Sequence, residues 1–418
     1  MNKKLQFFTL LLVNIFSISS LQAAIDMQAH LATDEAQNAY TSYLSQQSSY
    51  YTGNYTYTTL LAQTGDQLFG SLNTLMGNTC KLEAWGLDYG DLRYAYTDVD
   101  RDLNKSGNII GYYDGYSFAG KWDSGNTWNR EHTWPQSKGA NKDIPMGHDM
   151  QSVRPTRKAA NSDRGNTAYG EGGSYYDPDE ISINNSAYKK INLGTYRGDA
   201  ARVIMYDYIV YGQAGSYKNS LYNGNAQLLN KLGSSGVFES LRIMLKWHMQ
   251  DPPSLTEMVR NDGAQAYQGN RNPFIDFPEF AIQIFLNNSN IKTHKVKVNT
   301  SATLWPNYQY TLSDGFIANL TEADGSRPES VDVTGATYSY DATMGRLTIT
   351  NVMSDMVIST NGITAIDDIY YSNKIVIYNI TGTIIAEISS ENLSSTLQTL
   401  PSGLYIIQQG NQARKIMR

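Results

Sequence analysis

The chain has 418 residues, of which 41% are hydrophobic and 17% charged, a length that can supply a sizeable core. It carries 39 acidic against 33 basic residues, which argues against a protein basic throughout, the usual face shown to nucleic acid. Cys80 is its one cysteine, so an intramolecular disulfide is excluded and stability must come from the core.

Residues 1–24 open with Lys3 and Lys4, continue through a mostly apolar run at 5–18, and end in Ala23-Ala24. That order is the pattern of a secretory signal peptide, too short to span a membrane and without the polar face of an amphipathic helix. No other segment reads as a span, so a secreted or cell-surface protein is expected. Tyrosine occurs 31 times, several copies falling between residues 40 and 57. Strand and surface tyrosines account for these better than base stacking does. Cys80 reads as a small buried apolar residue, because no basic cluster or histidine lies near it in sequence.

The most informative stretch is Trp128-Asn129-Arg130-Glu131-His132-Thr133-Trp134-Pro135. A carboxylate stands beside an imidazole, with an arginine before them. The carboxylate can hold a divalent cation and a neutral imidazole can take a proton from water near pH 7, a pairing suited to metal-assisted attack on a phosphodiester. Trp128 and Trp134 are expected to wedge this segment in place. A second polar segment follows, His148-Asp149-Met150-Gln151-Ser152-Val153-Arg154-Pro155, then Asn161-Ser162-Asp163-Arg164-Gly165-Asn166. A short helix is expected over 156–164, with Pro155 or Thr156 in its first turn and Gly165 ending it. Asn161 within that helix can offer an amide oxygen to a hard cation. Between residues 121 and 164, Lys121, Arg130, Lys138, Lys142, Arg154, Arg157, Lys158 and Arg164 outnumber Asp123, Glu131, Asp143, Asp149 and Asp163. This stretch is thus locally basic inside an acidic chain.

These motifs, together with Gly198-Asp199-Ala200-Ala201-Arg202, Leu245-Lys246-Trp247-His248 and Tyr267-Gln268-Gly269-Asn270-Arg271-Asn272-Pro273-Phe274-Ile275-Asp276, resemble the endonuclease I family of exported nucleases. That family belongs to the ββα-metal (His-Me finger) nucleases. The resemblance covers residues 50–286 in ordered blocks. It implies Glu131 and Asn161 as metal ligands and His132 as general base, with Arg154, Arg164 and Asn166 supporting the site. It also implies Mg²⁺ as cofactor, with Mn²⁺ or Ca²⁺ as substitutes, and products bearing a 5′ phosphate. The chain departs from the family in reading Asp149-Met150-Gln151-Ser152-Val153-Arg154-Pro155 where many members have Asp-Leu-His-Asn-Leu-Arg-Pro. Some members hold the phosphate with an arginine between the Glu-His pair and the ligand Asn. Here only Lys138 and Lys142 lie between Arg130 and Arg154, so that task falls to Arg154, Arg164 or a lysine.

Past a helix expected at 281–286, Asn287-Asn288-Ser289-Asn290 reads as a linker. Short alternating runs at 295–298, 309–312, 336–340, 346–349 and 355–359, with a turn at 341–345, predict a small antiparallel β module. The final stretch resembles a type IX secretion sorting domain. Its carriers are Lys374-Ile375-Val376-Ile377-Tyr378-Asn379-Ile380-Thr381-Gly382, a returning strand at 383–388, and Leu400-Pro401-Ser402-Gly403-Leu404-Tyr405-Ile406-Ile407. This implies secretion machinery as a partner of the tail.

The expected organisation is therefore α+β: a signal peptide at 1–24, a mixed catalytic domain with a ββα-metal core motif at 25–290, a small β module at 291–362 and a β sorting domain at 363–418. A catalytic unit ending near residue 290 is expected to fold and cut without the rest. The expected function is metal-dependent hydrolysis of DNA, with RNA as a second substrate and little sequence specificity. Two alternatives stand beside it: a catalytically inactive extracellular nucleic-acid-binding protein, and a phosphodiesterase acting on another phosphate ester.

Overall fold

A computed structural model describes residues 34–82, 88–113, 115–166, 169, 196–211, 241–288, 291–322, 325–360, 374–379, 384–389, 392–401, 403–409 and 412–417. The chain forms two compact units, residues 1–361 and 362–418. The architecture is mixed α and β: a region of helices and short strands is followed by several small sheets. The signal segment expected at 1–24 lies outside the described residues. No described helix is long and apolar enough to cross a membrane.

The first unit opens with helices α1 (Asp34–Tyr50), α2 (Tyr57–Leu61), α3 (Gly65–Thr79) and α4 (Leu92–Val99). A two-stranded ribbon follows, β1 (Asn108–Ile110) against β2 (Ser117–Ala119). The segment singled out above then folds as a hairpin, β3 (Trp128–His132) antiparallel to β4 (Val153–Arg157), and runs directly into helix α5 (Lys158–Arg164). Glu131 pairs with Arg154 across the hairpin, and His132 with Val153. The helix starts two residues later than expected, because Pro155 and Thr156 extend β4 instead of opening it. Proline is tolerated there since its missing N–H faces no third strand, and its carbonyl accepts from Tyr112 N at 2.8 Å. Gly165 ends α5 at φ +58°, and its N–H caps the Asn161 carbonyl.

Four further described helices follow, α6 (Arg197–Tyr211), α7 (Leu241–Gln250), α8 (Leu255–Gln268) and α9 (Pro273–Asp276), of which α6 and α8 hold the hairpin's loop. Every residue of α6 from Gly198 to Tyr211 is buried, so it is a core helix with no solvent face. Two of its charged residues bond neighbouring elements. Arg202 makes a two-pronged bond to Glu257 of α8, at 2.6 and 2.7 Å, and Ser152 Oγ donates to Asp207. Glu257 also closes a capping box with Ser254 at the start of α8. Trp128 and Trp134 are buried as expected of wedges, and so is Cys80.

A short helix α10 (Phe280–Ile284) leads to eight strands: β5 (His294–Val298), β6 (Thr303–Trp305), β7 (Tyr310–Thr311), β8 (Ile317–Thr321), β9 (Val331–Thr334), β10 (Thr337–Asp341), β11 (Arg346–Thr350) and β12 (Met356–Thr360). They make two four-stranded sheets, ordered β10-β11-β8-β6 and β7-β5-β12-β9. The pairing is not wholly antiparallel as expected, since β12 runs parallel to β5. The turn at 341–345 is present, with Asp341 Oδ1 accepting from the amides of Thr343 and Met344. The core does not divide at residue 290. Phe274, Phe280 and Trp247 belong to one cluster with Leu304, Tyr308, Phe316, Leu320, Leu347 and Ile358. Ion pairs join the same parts, Arg242 to Asp314 at 2.6 Å and Lys246 to Asp314 at 3.6 Å.

The second unit is a four-stranded antiparallel sheet of β13 (Lys374–Asn379), β14 (Ile384–Ser389), β15 (Leu404–Gln409) and β16 (Gln412–Met417), ordered β14-β13-β15-β16. Two of its elements were not anticipated, helix α11 (Leu393–Thr399) and the last strand, β16. Leu393 and Leu397 of α11 cover Ile375, Ile377, Tyr405 and Ile407. The turn expected after Asn379 lies outside the described residues.

Candidate active site

The hairpin β3–β4 and helix α5 bring the motif residues together. Alternation along β3 sets Asn129 and Glu131 on one side, Arg130 and His132 on the other. Asn161 and Arg164, three residues apart on α5, share the helix face that meets β3. Asn161 Nδ2 donates to Asn129 Oδ1 at 2.7 Å and to the Arg130 carbonyl at 3.3 Å, one peptide from Glu131. Arg164 donates to Glu131 Oε1 at 3.1 Å, to the His132 carbonyl at 3.2 Å and to the Thr133 carbonyl at 2.9 Å.

Glu131 is only 2% exposed. Its Oε1 takes two donors, the Arg164 guanidinium and the Tyr113 hydroxyl at 2.5 Å. Tyr113 in turn bonds Tyr169 through their hydroxyls at 2.7 Å. Burial pushes the Glu131 carboxyl up to about 7, while Arg164 and Tyr113 pull it back. Among the described residues no donor reaches Glu131 Oε2 or Asn161 Oδ1. Two oxygen acceptors that meet no donor among the described residues thus come from adjoining elements.

His132 is held in one tautomer. Its Nε2 lies 3.0 Å from the Gly147 carbonyl, which can only accept, so Nε2 carries the hydrogen and Nδ1 keeps its lone pair. Burial lowers its pKa to about 4, leaving the ring neutral near pH 7. The Tyr89 ring stacks on it, centroids 5.2 Å apart at 29°, and the Gln136 amide lies 3.4 Å from Nδ1. Arg130 lies half-buried with its guanidinium 3.6 Å above the same Tyr89 ring.

The two arginines expected to hold phosphate are inside the protein. Arg164 is 1% exposed and spends its bonds on the end of β3. Arg154, 5% exposed, pairs with Asp100 at 3.5 Å and lies over the Tyr112 ring. Both build the hairpin. Of the lysines, Lys142 is exposed and pairs with Asp143 at 2.6 Å. Asn166 is exposed and bonds Ser137. Gln151, at the point of departure from the family motif, is buried and donates to Asn261 Oδ1 at 2.8 Å. Asp149 accepts from Tyr206, Tyr211, Gln268 and the Gln151 amide, anchoring the loop between β3 and β4.

Tyr113, Tyr89, Gln136 and the Gly147 carbonyl escaped sequence reasoning. Tyr113 and Tyr89 are two among 31 tyrosines, and a backbone carbonyl leaves no mark in a sequence.

Residues 64–279 match the profile of the Endonuclease I family. An extracellular ribonuclease of Bacillus subtilis (strain 168) is 31% identical over 239 residues, covering 53% of this chain and 75% of the relative. One of the same name from Bacillus amyloliquefaciens is 31% identical over 238 residues, with the same coverage. The hairpin, helix α5 and the adjacent residues Glu131 and His132 all fall inside the matched region, and the chain belongs to the Endonuclease I family of nucleases.

Proposed function

We propose that this protein is an exported, divalent-cation-dependent endonuclease that hydrolyses phosphodiester bonds of RNA and DNA, leaving 5′-phosphate ends. The observation that carries the reading is the His132 Nε2 bond to the Gly147 carbonyl. It turns the basic nitrogen of a neutral imidazole into the acceptor next to a buried carboxylate.

Glu131 Oε2 and Asn161 Oδ1 fit a hard cation such as Mg²⁺, which takes oxygen ligands and keeps several waters; Mn²⁺ or Ca²⁺ could occupy the same donors. A bound cation supplies charge neutralisation at the scissile phosphate and at the departing 3′ oxygen. His132 Nδ1 takes the proton of the attacking water. The Tyr89 ring and the Gly147 carbonyl hold the imidazole so that it does not turn during that transfer. Arg164 ties α5 to the end of β3 and so keeps Asn161 beside Glu131.

The names of the two Bacillus relatives support RNA as a substrate and an extracellular location. The wider resemblance supports DNA as well. Little base specificity is expected, because contacts to phosphate and sugar carry little sequence information. The tail from residue 363 is read as the part recognised by secretion machinery.

The test is digestion of RNA and of linear, circular and single-stranded DNA by the mature protein in Mg²⁺, Mn²⁺, Ca²⁺ or chelator. Cleavage of circular DNA or of internal RNA bonds, lost with chelator, is the expected result. Binding without cleavage in every metal would favour an inactive nucleic-acid-binding protein. Turnover of small esters alone would favour a different phosphodiesterase.

A further inference from the structure

Glu131 is gripped asymmetrically. Both of its described hydrogen bonds fall on Oε1, one from Arg164 and one from Tyr113. Arg164 also holds two backbone carbonyls of β3 and its exit, so its role is spread over the hairpin. Tyr113 is different. It is fully buried, it lies in the segment between β1 and β2, and its hydroxyl contacts the carboxylate at 2.5 Å. The hydroxyl is itself fixed by Tyr169 at 2.7 Å, whose ring lies edge-on to Trp247 and under the Arg164 guanidinium. Tyr112, its neighbour, packs against it at a centroid distance of 4.6 Å. The ring therefore has no room to turn away.

A carboxylate with one oxygen tied by two donors cannot rotate about its last bond. Its second oxygen is then held in one place at no further entropic cost when a ligand arrives. We infer that Tyr113, braced by Tyr169, is a positioning residue for Glu131, pinning Oε1 so that Oε2 is preorganised as the cation-binding oxygen. This inference rests on the metal-dependent reading above. The hydroxyl touches neither substrate nor cation, and acts only through the carboxylate.

The test uses the full mature chain and measures cation binding directly, by titration calorimetry with Mn²⁺, beside cleavage kinetics. Tyr113→Phe removes the hydroxyl and keeps the ring. The expected result is Mn²⁺ affinity weaker by about 10- to 100-fold. Cleavage should recover toward the wild-type kcat at high metal, with KM for nucleic acid unchanged. Tyr169→Phe should move the affinity the same way and less, because it loosens Tyr113 and leaves the bond to Glu131. Wild-type Mn²⁺ affinity in Tyr113→Phe would overturn the inference, including the case where only the melting temperature falls. If the wild-type protein itself binds no Mn²⁺ and cuts in chelator, the metal-dependent reading fails instead, and the two failures are told apart by that control.

Discussion

His132 and Glu131 are adjacent in sequence, yet burial moves them in opposite directions. It disfavours the charged form of each, so the histidine goes down, to about 4, and the glutamate up, to about 7. The result is an imidazole that is neutral near pH 7 beside a carboxyl that stays raised even with Arg164 bonded to it. His132→Ala should lower kcat by about 10²–10⁴-fold while nucleic-acid binding stays near wild type. Single-turnover rates and filter binding on one preparation check this, and a wild-type rate would remove His132 from the mechanism. Asn161→Ala should weaken cation binding, with cleavage partly rescued at high Mg²⁺ because water can replace a neutral oxygen ligand. Glu131→Ala should show no such rescue. Metal titrations of the two variants decide it, and equal rescue would contradict the division of roles.

At the scale of elements, the hairpin and α5 are held from behind by charged and polar residues of α6 and α8. Arg260 of α8 pairs with Asp100 at 2.8 Å and donates to the Met150 carbonyl, and Gln268 donates to Asp149. The end of α8 is decided by Gly269, which sits at φ +89°. A Cβ there would lie 2.2 Å from the Thr79 carbonyl oxygen at the end of α3. Gly269→Ala should therefore cost more than about 1 kcal/mol, from strain and a backbone clash together. Urea denaturation reads the loss. Cleavage should fall with it, because Gln268, just before the turn, supports the loop that presents Gly147 to His132. An unchanged urea midpoint would show that the turn can shift without cost.

For the whole molecule, the first unit has one main core that runs from the helices into the two sheets. A chain ending at residue 290 would leave Phe274, Phe280 and Trp247 without Tyr308, Phe316 and Leu320. It should melt about 10 °C lower or more, or fail to fold, since several buried aromatic contacts are lost together. A chain ending at residue 361 keeps that core and should cut at the wild-type rate. Calorimetry and cleavage of both truncated chains test this, and a stable, active chain ending at 290 would restore an independent catalytic domain. Acid stability follows from His248, fully buried, with Nε2 bonded to the Pro278 carbonyl at 2.7 Å. Burial lowers its pKa to about 3, below the unfolded value. Its neutral form is favoured in the fold, so its stabilising contribution is complete above about pH 6.5 and is lost as pH falls toward 3. That amounts to about 2 kcal/mol between pH 7 and 5. His248→Gln should flatten the pH dependence of the urea midpoint over that range, whatever its effect at pH 7, and a wild-type slope would exclude His248 as the source.

What the sequence determined by itself is local. Adjacency put Glu131 beside His132, and spacing put Asn161 and Arg164 three apart within one expected helix. Gly165 marked that helix's end, and alternating runs marked five of the eight described strands between residues 291 and 360. Tertiary structure decided the rest. Arg154 and Arg164 read as phosphate ligands by type, but their guanidinium groups find carboxylates and carbonyls inside the protein, which no spacing reveals. Pro155 is pulled into β4 because pairing with β3 outweighs its preference for a helix's first turn. Helix α11 forms from Leu393-Ser-Ser-Thr-Leu-Gln-Thr, in which the Ser and Thr residues are weak helix formers, because two leucines cover the sheet of the second unit. The polar run at 287–290 looked like a boundary, but a linker is defined by what its two sides share. Here they share a core built from residues far apart in the chain, and contacts of that range are written in no local pattern.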